Sequence, residues 1–268
     1  MFSVANKVVL ITGAGANGGI GHALALGFAH AGAKLAICDI DQQGLQQTEE
    51  ELKQLGVSVL STLTDVANEE QVREMFLQID QQFGVIDVLI NVPFAFPSRV
   101  KPHLLAAEDW QTTLDVSVGG YFFCIREALK RMLAQTGGSI INIGSNAGHN
   151  ALGRGAMPYS CAKAAVHQMT REIAIEYGGQ GIRCNALAPA QIRTPGLQQH
   201  LQNPEFREQV LPKILNGLPQ GRLIEPDELV GPAIFLASDA AQAVNGAILA
   251  VDQGNTAMNA GGSHNWQL

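Results

Sequence analysis

Apolar residues along this chain follow two alternating rhythms. Short runs with almost no polar face recur at "KVVLIT" (7–12), "KLAICD" (34–39), "VSVLST" (57–62), "IDVLIN" (86–91), "SIINIG" (139–144), "IRCNAL" (182–187) and "AILAVD" (247–252). Runs of this kind mark strands covered on both sides. Between them, 20–31, 42–55, 69–83, 108–134, 158–178 and 226–238 show helical spacing, with Pro226 placed where the last would open. The alternation predicts an α/β fold, a single doubly wound, seven-stranded parallel sheet with helices on both faces. Neither an internal repeat nor a low-complexity linker interrupts it, so 1–268 reads as one domain. The proline-containing segment 190–225 reads as an irregular insertion at the carboxyl end of the sheet, where ligands are usually covered. The C-terminal tail, 255–268, could close over a pocket.

Composition narrows the partners. A chain that is 46% hydrophobic and 15% charged has enough apolar material for a large core. Its net charge of −7, with scattered Lys and Arg, argues against nucleic acid and leaves small molecules. No apolar run reaches the roughly 18 residues that span a bilayer, and the start "MFSVANKVVLITGAG" lacks the features of a secretory leader, so a cytoplasmic protein off the membrane is expected. Cys38, Cys124, Cys161 and Cys184 form no CxxC pair, and the seven histidines are isolated, so no disulfide or metal site is expected.

The first candidate chemistry lies in "VVLITGAGANGGIGHALALGFAHAGA", a strand, a glycine turn and a helix. Gly13, Gly15, Gly18, Gly19 and Gly21 allow a tight turn and close approach, while the helix start offers free N–H groups to a pyrophosphate. Asp39 ends the next strand, about twenty residues further on. A carboxylate there accepts from both ribose hydroxyls and repels a 2′-phosphate, and no Arg or Lys in "CDIDQQG" offsets it, so NAD is favoured over NADP. Capping of the helix from 42 is better served by Asp41.

The second candidate is "PYSCAK": on a helix Tyr159 and Lys163 are i, i+4 neighbours. A phenol is a poor base at neutral pH, and an adjacent ammonium favours its ionised form. Ser145 closes the strand "SIINIG", and its hydroxyl could hold a substrate oxygen near the tyrosine.

These residues carry a resemblance. Over roughly 5–255 the chain resembles the short-chain dehydrogenase/reductase family, a Rossmann-like group. "TGAGANGGIG" looks like its glycine turn, "TDVAN" its adenine-side Asp-Val, "IGS" its catalytic serine and "YSCAK" its Tyr-x-x-x-Lys. "NALAPAQIRTP" is similar to its segment over the nicotinamide, and 221–254 to its C-terminal signature. The resemblance implies Tyr159 as general acid/base, Ser145 polarising the reacting oxygen, and Lys163 tuning the tyrosine and holding the ribose. It also implies that Gly13, Asn17, Gly19 and Ile20 face the pyrophosphate and Asp65 and Val66 the adenine. Asn91 would lie under the cofactor, Ile192 and Thr194 would contact the carboxamide, and the long helices at 108–134 and 158–178 would build a homotetramer.

Three departures stand out. The glycine turn is two residues longer than usual, "NVPF" (91–94) replaces the common Asn-Asn-Ala-Gly and brings Phe94 near the pocket, and Ser117 stands where a catalytic Asn is usual. A relay through Lys163, water and Ser117 is expected to keep the enzyme active. Asn146, His149, Asn150, Arg154 and Gln191 are candidate substrate contacts, and this polar rim favours a polyol- or sugar-like secondary alcohol. The alternatives are an NADPH-dependent 3-oxoacyl-carrier reductase, opposed by Asp39, and a dinucleotide-binding sensor or structural subunit without turnover, opposed by Ser145, Tyr159 and Lys163.

Overall fold

The computed structural model describes residues 2–135 and 137–258. Its strands are β1 (Val8–Thr12), β2 (Lys34–Asp39), β3 (Val59–Leu63), β4 (Val88–Asn91), β5 (Gly138–Ile143), β6 (Ile182–Pro189) and β7 (Ile248–Val251). They form one seven-stranded sheet in the order β3-β2-β1-β4-β5-β6-β7, with every neighbouring pair parallel. The order reverses between β1 and β4, and in open α/β sheets such a switch point opens a crevice at the carboxyl ends of the strands.

The all-apolar strand pattern follows from coverage on both faces. Alternate residues of β1 divide between two cores: Val9 and Ile11 join one, Leu10 the other. The first core takes Leu24 and Phe28 of α1 (Ile20–His30), Leu45 and Leu52 of α2 (Gln42–Gln54), and Ala233 and Leu236 of α9 (Val230–Ala237). The second takes Phe76 and Ile79 of α3 (Glu69–Phe83) and Cys124 and Leu129 of α5 (Gly120–Ala134). β1 and β4 are buried throughout, whereas the edge strands β3 and β7 are only partly covered. The Asp41 carboxylate caps α2 by accepting from the N–H groups of Gln43 and Gly44, as expected.

Three local expectations need correction. The single helix expected at 108–134 is α4 (Ala107–Leu114), a π-helical turn at Asp115–Gly119, and then α5. Gly120 sits at that junction because a Cβ there would lie 2.7 Å from the Val66 side chain, so only glycine lets α5 approach so closely. The 190–225 segment is not irregular: α7 (Pro195–Leu201) and α8 (Leu211–Asn216) fold around a small core of Ile214, Leu218 and Leu223. The helix expected at 226–238 opens as a 3-10 turn, Pro226–Leu229, under a Glu225/Glu228 capping box. The remaining long helix, α6 (Met157–Tyr177), carries the Tyr-x-x-x-Lys pair. The tail is described only to Met258; the expectation that it closes a pocket falls largely on 259–268, outside the described residues.

Candidate active site

A cavity of about 630 Å³ opens at the carboxyl ends of the strands, within the usual range for small-molecule and cofactor sites. One arm runs along the β1–α1 turn to the tip of β2. Gly13 adopts φ +73°, and a Cβ on it would lie 3.0 Å from Pro93. Gly21 packs closer still, since its Cβ would fall 2.1 Å from the Gly13 carbonyl oxygen. The turn is thus drawn tightly against the helix start, leaving a bare-backbone wall on the cavity side. The two extra residues bulge outward as a turn at Asn17–Gly18, pinned where the Gly18 N–H donates to His22 Nδ1 (3.3 Å). Gly13, Ala16, Gly19 and Ile20 line the cavity.

Asp39 stands at the far end of this arm. Its carboxylate accepts from the N–H groups of Gly15 (2.7 Å) and Asp41 (3.0 Å), which hold it in place at the lip. Ile40, Thr64, Asp65 and Val66 complete the arm, and no Arg or Lys is among these lining residues.

The other arm begins at the tips of β4 and β5. Tyr159 and Lys163 both line it from α6, with Ser145 opposite on β5's end. Lys163 is fully buried; its ammonium donates to the Ile143 carbonyl (2.6 Å) and to the Tyr121 hydroxyl (3.3 Å), and lies 5.8 Å from the Tyr159 ring centre. Burial pulls the Lys163 pKa down to about 7. Burial likewise raises that of Tyr159, outweighing the downward pull of a hydrogen bond with Ser145 and of the nearby Arg99 charge. In this cavity, then, the tyrosine's neighbours opposing its burial are Ser145 and Arg99, and Lys163 spends its hydrogen bonds on Ile143 and Tyr121. That differs from the expected lysine-tuned phenol, because a carbonyl lies nearer the ammonium than the phenol does.

Ser145 is held on three sides. Its N–H donates to His167 Nε2 (3.5 Å), its hydroxyl donates to Asn146 Oδ1 (3.2 Å), and the Ser145 Oγ itself accepts from the Ala147 N–H (3.1 Å). Burial, then the proximity of His149, pulls the His167 pKa down to about 4, so this ring meets Ser145 uncharged at neutral pH.

The structure separates the expected site residues into two groups. Gly13, Gly19, Ile20, Asp39, Asp65, Val66, Phe94, Ser145, Tyr159, Lys163, Gln191, Ile192 and Thr194 all line the cavity. Asn17 does not, because it sits on the outward bulge, and Asn91 is buried beneath, donating to Asn142 Oδ1 (3.0 Å). Asn146 turns its amide away to donate to Asn255 Oδ1 (2.7 Å), which ties the Ser145 loop to the chain beyond β7. His149 packs its ring 4.6 Å from that of His167, and Asn150 and Arg154 are exposed outside the lining. The polar rim that favoured a polyol is therefore largely absent from the cavity wall. Ser117 is also outside it: fully buried in the π-turn, its hydroxyl accepts from the Ala95 N–H (3.3 Å).

The wall near Tyr159 is made instead by Phe94, which the sequence already places near the pocket, and by residues it did not single out. Phe96 stacks on the Tyr159 ring (5.7 Å) and Phe94 meets its edge (5.6 Å). Arg99, Leu152, Gln199 and His200 join them from three separate segments. "FAFPSR" (94–99) was the available signal, two aromatics and a cation just beyond a strand tip.

A glycine-walled arm ending in a carboxylate, meeting a tyrosine, serine and lysine at a switch point, defines a nicotinamide-dinucleotide oxidoreductase. The family model described as enoyl-(acyl carrier protein) reductase matches residues 13–256. The chain belongs to the short-chain dehydrogenase/reductase family, and is an NAD(P)-dependent enzyme acting on CH–OH groups. It is 37% identical over 253 residues to (2S)-[(R)-hydroxy(phenyl)methyl]succinyl-CoA dehydrogenase subunit BbsD of Thauera aromatica, covering 94% of this chain and 98% of that one. It is 34% identical over 256 residues to D-threitol dehydrogenase of Mycolicibacterium smegmatis, covering 95% of each. Among solved structures, a gluconate 5-dehydrogenase from Burkholderia cenocepacia in complex with NADP and tartrate superposes with a TM-score of 0.87 at 32% identity, covering 96% of this chain and 98% of that one.

Proposed function

We propose that this protein is an NAD-dependent dehydrogenase of a small secondary alcohol, interconverting it with the matching ketone. The observation that carries the reading is the convergence of Ser145, Tyr159 and Lys163 on one wall of a cavity whose other arm ends at Asp39. The residues fit a dinucleotide: Gly13, Gly19 and Ile20 would flank the pyrophosphate, Asp39 the adenine ribose, and Asp65 and Val66 the adenine. Ile192 and Thr194 would contact the carboxamide, and Lys163 the nearer ribose. The bound nicotinamide supplies the hydride acceptor or donor. Ser145 positions the substrate oxygen, and Tyr159 takes its proton in oxidation and returns it in reduction. A phenol that burial keeps protonated suits the donating role, so alcohol oxidation gains as pH rises.

The gluconate dehydrogenase of the same fold contains NADP, so the choice of NAD rests on Asp39 and on the lack of a lining cation beside it. A polyol is the second reading, favoured by Gln191 and Gln199 on the insertion side and by the likeness to D-threitol dehydrogenase. The test is a panel of alcohols and ketones with NAD(H) and NADP(H), followed by reduced-nicotinamide absorbance. No turnover with any member, or turnover only with NADP(H), would overturn the reading. We also read the protein as a homotetramer, since Phe122 of α5 and Ile175 of α6 stay 46% and 84% exposed; a monomer by light scattering would refute that.

A further inference from the structure

Arg99 has no use in the chemistry above, yet it lines the cavity. Its guanidinium lies 4.5 Å from the Phe96 ring centre, and Phe96 in turn stacks on Tyr159. Tyr159, Phe96 and Arg99 are thus linked in sequence along the cavity wall. An arginine so placed is held by its flat face, leaving its N–H edge free to meet a ligand.

That edge has no partner among the described residues. Arg99 makes neither an ion pair nor a hydrogen bond among the described residues, unlike Arg126, Arg131, Arg193 and Arg222, each of which meets a carboxylate. The acidic residues lining the cavity, Asp39 and Asp65, belong to the opposite arm. A second cation approaches instead. Arg154 likewise makes no ion pair or hydrogen bond among the described residues, and the loop that carries it is pressed against the Arg99 backbone: a Cβ on Gly155 would lie 2.7 Å from the Arg99 carbonyl carbon. Partial burial and the Arg154 charge both work against the Arg99 cation. An anion meeting the Arg99 edge inside the cavity would offset that unfavourable charge. Phe94, Phe96, Leu152 and Leu197 give the surrounding wall an apolar part, beside the polar Gln199 and His200.

We propose that Arg99 is a substrate-binding residue that captures a carboxylate, so that the substrate is a hydroxy acid or oxo acid with an apolar body between its anionic end and its reacting carbon. This rests on the oxidoreductase reading for the reaction and on Arg99 for the anion. A charge-assisted pair of this kind is expected to favour the carboxylate over its neutral amide by about tenfold to a hundredfold.

The experiment has two arms. In the first, NAD-loaded protein is titrated calorimetrically with cyclohexanecarboxylate and with cyclohexanecarboxamide, neither of which can react. The carboxylate should bind at least tenfold tighter. Arg99→Gln should abolish the difference and Arg99→Lys should keep part of it. Equal binding, no binding of either, or a preference that survives Arg99→Gln would overturn the proposal. In the second arm, 3-hydroxycyclohexanecarboxylate and its amide are compared as substrates, and Arg99→Gln should raise KM for the acid while changing kcat little. Equal kcat/KM for the two would overturn the anion site while leaving the oxidoreductase intact. Oxidation of neither would count against the reaction, and the binding arm would still decide on Arg99.

Discussion

The two arms of the cavity are built in opposite ways. The dinucleotide arm comes mostly from one stretch, β1 to just past the tip of β2, completed by Thr64, Asp65 and Val66 beyond β3, and its shape is set largely by backbone: glycines without Cβ atoms and a carboxylate fixed by two N–H donors. The Tyr159 arm is assembled from 92–100, 143–163 and 189–200, and its shape is set by side chains such as Phe94, Phe96 and Leu197. The first arm is shaped mainly by its backbone turn, with the Asp39 side chain at its lip, so it specifies a cofactor. The second can change one side chain at a time with the sheet untouched, so it specifies a substrate.

That contrast is sharpest at Tyr159, the residue both arms serve. Tyr159→Phe keeps the ring that Phe94 and Phe96 pack against and removes only the hydroxyl. Turnover should fall by about 10²–10⁴-fold, with NAD affinity nearly unchanged when measured by titration of the protein. Comparable activity in the variant would end the proposed chemistry.

The same contrast explains what could be read from the sequence. All seven strands were visible as apolar runs, because burial on both faces forces that composition. Gly13, Asp39, Ser145, Tyr159 and Lys163 were legible because each follows from a local rule: a turn, a strand tip, or i, i+4 spacing on α6. Arg99 was not, since nothing in "FPSR" says that 152–155 folds against it. Asn146 and His149 were misplaced for the complementary reason. They sit beside Ser145 in the chain, but a tight turn sends one amide to Asn255 and the other ring to His167.

A smaller effect tests the dinucleotide arm. Asp39→Ala removes the group that accepts from the Gly15 N–H and would face a 2′-phosphate. The ratio of kcat/KM for NAD over NADP should drop by about tenfold or more, the cost of one charge-assisted contact. Wild-type preference for NADP would show that the arm's lip is used differently.

Lys163 gives a stability readout at the junction of the arms. Its pKa is about 7 in the fold and near 10.5 when unfolded, so between those values the unfolded chain binds a proton that the native chain does not. Native stability therefore rises with pH through that window, and the cost of burying the amine is greatest near and below pH 7. Lys163→Met has no such dependence. The Tm of the wild type minus that of Lys163→Met should thus increase by a few degrees between pH 7 and 10, by calorimetry without cofactor. A flat difference would mean that the amine stays charged in the fold.

The smallest expected effect separates two roles for Ser117. Its hydroxyl accepts from the Ala95 N–H, at the base of the 92–100 segment that brings Phe96 and Arg99 to the substrate arm. Lys163, meanwhile, is bonded to Ile143 and Tyr121, so no direct link joins it to Ser117. Removing one neutral hydrogen bond costs about 1 kcal/mol, or roughly fivefold. If Ser117 acts by holding that segment, Ser117→Ala should raise KM by about this factor and leave kcat and its pH profile in place. A water-linked proton relay makes the opposite demand. The Ser117 proton has no protein acceptor among the described residues, and if a relay runs through it, its loss would lower kcat and shift its pH dependence. Because the serine's recorded partner is a backbone N–H of the substrate arm, the KM effect is the expected outcome. Ser117→Asn, which can still accept from Ala95, should restore most of the loss.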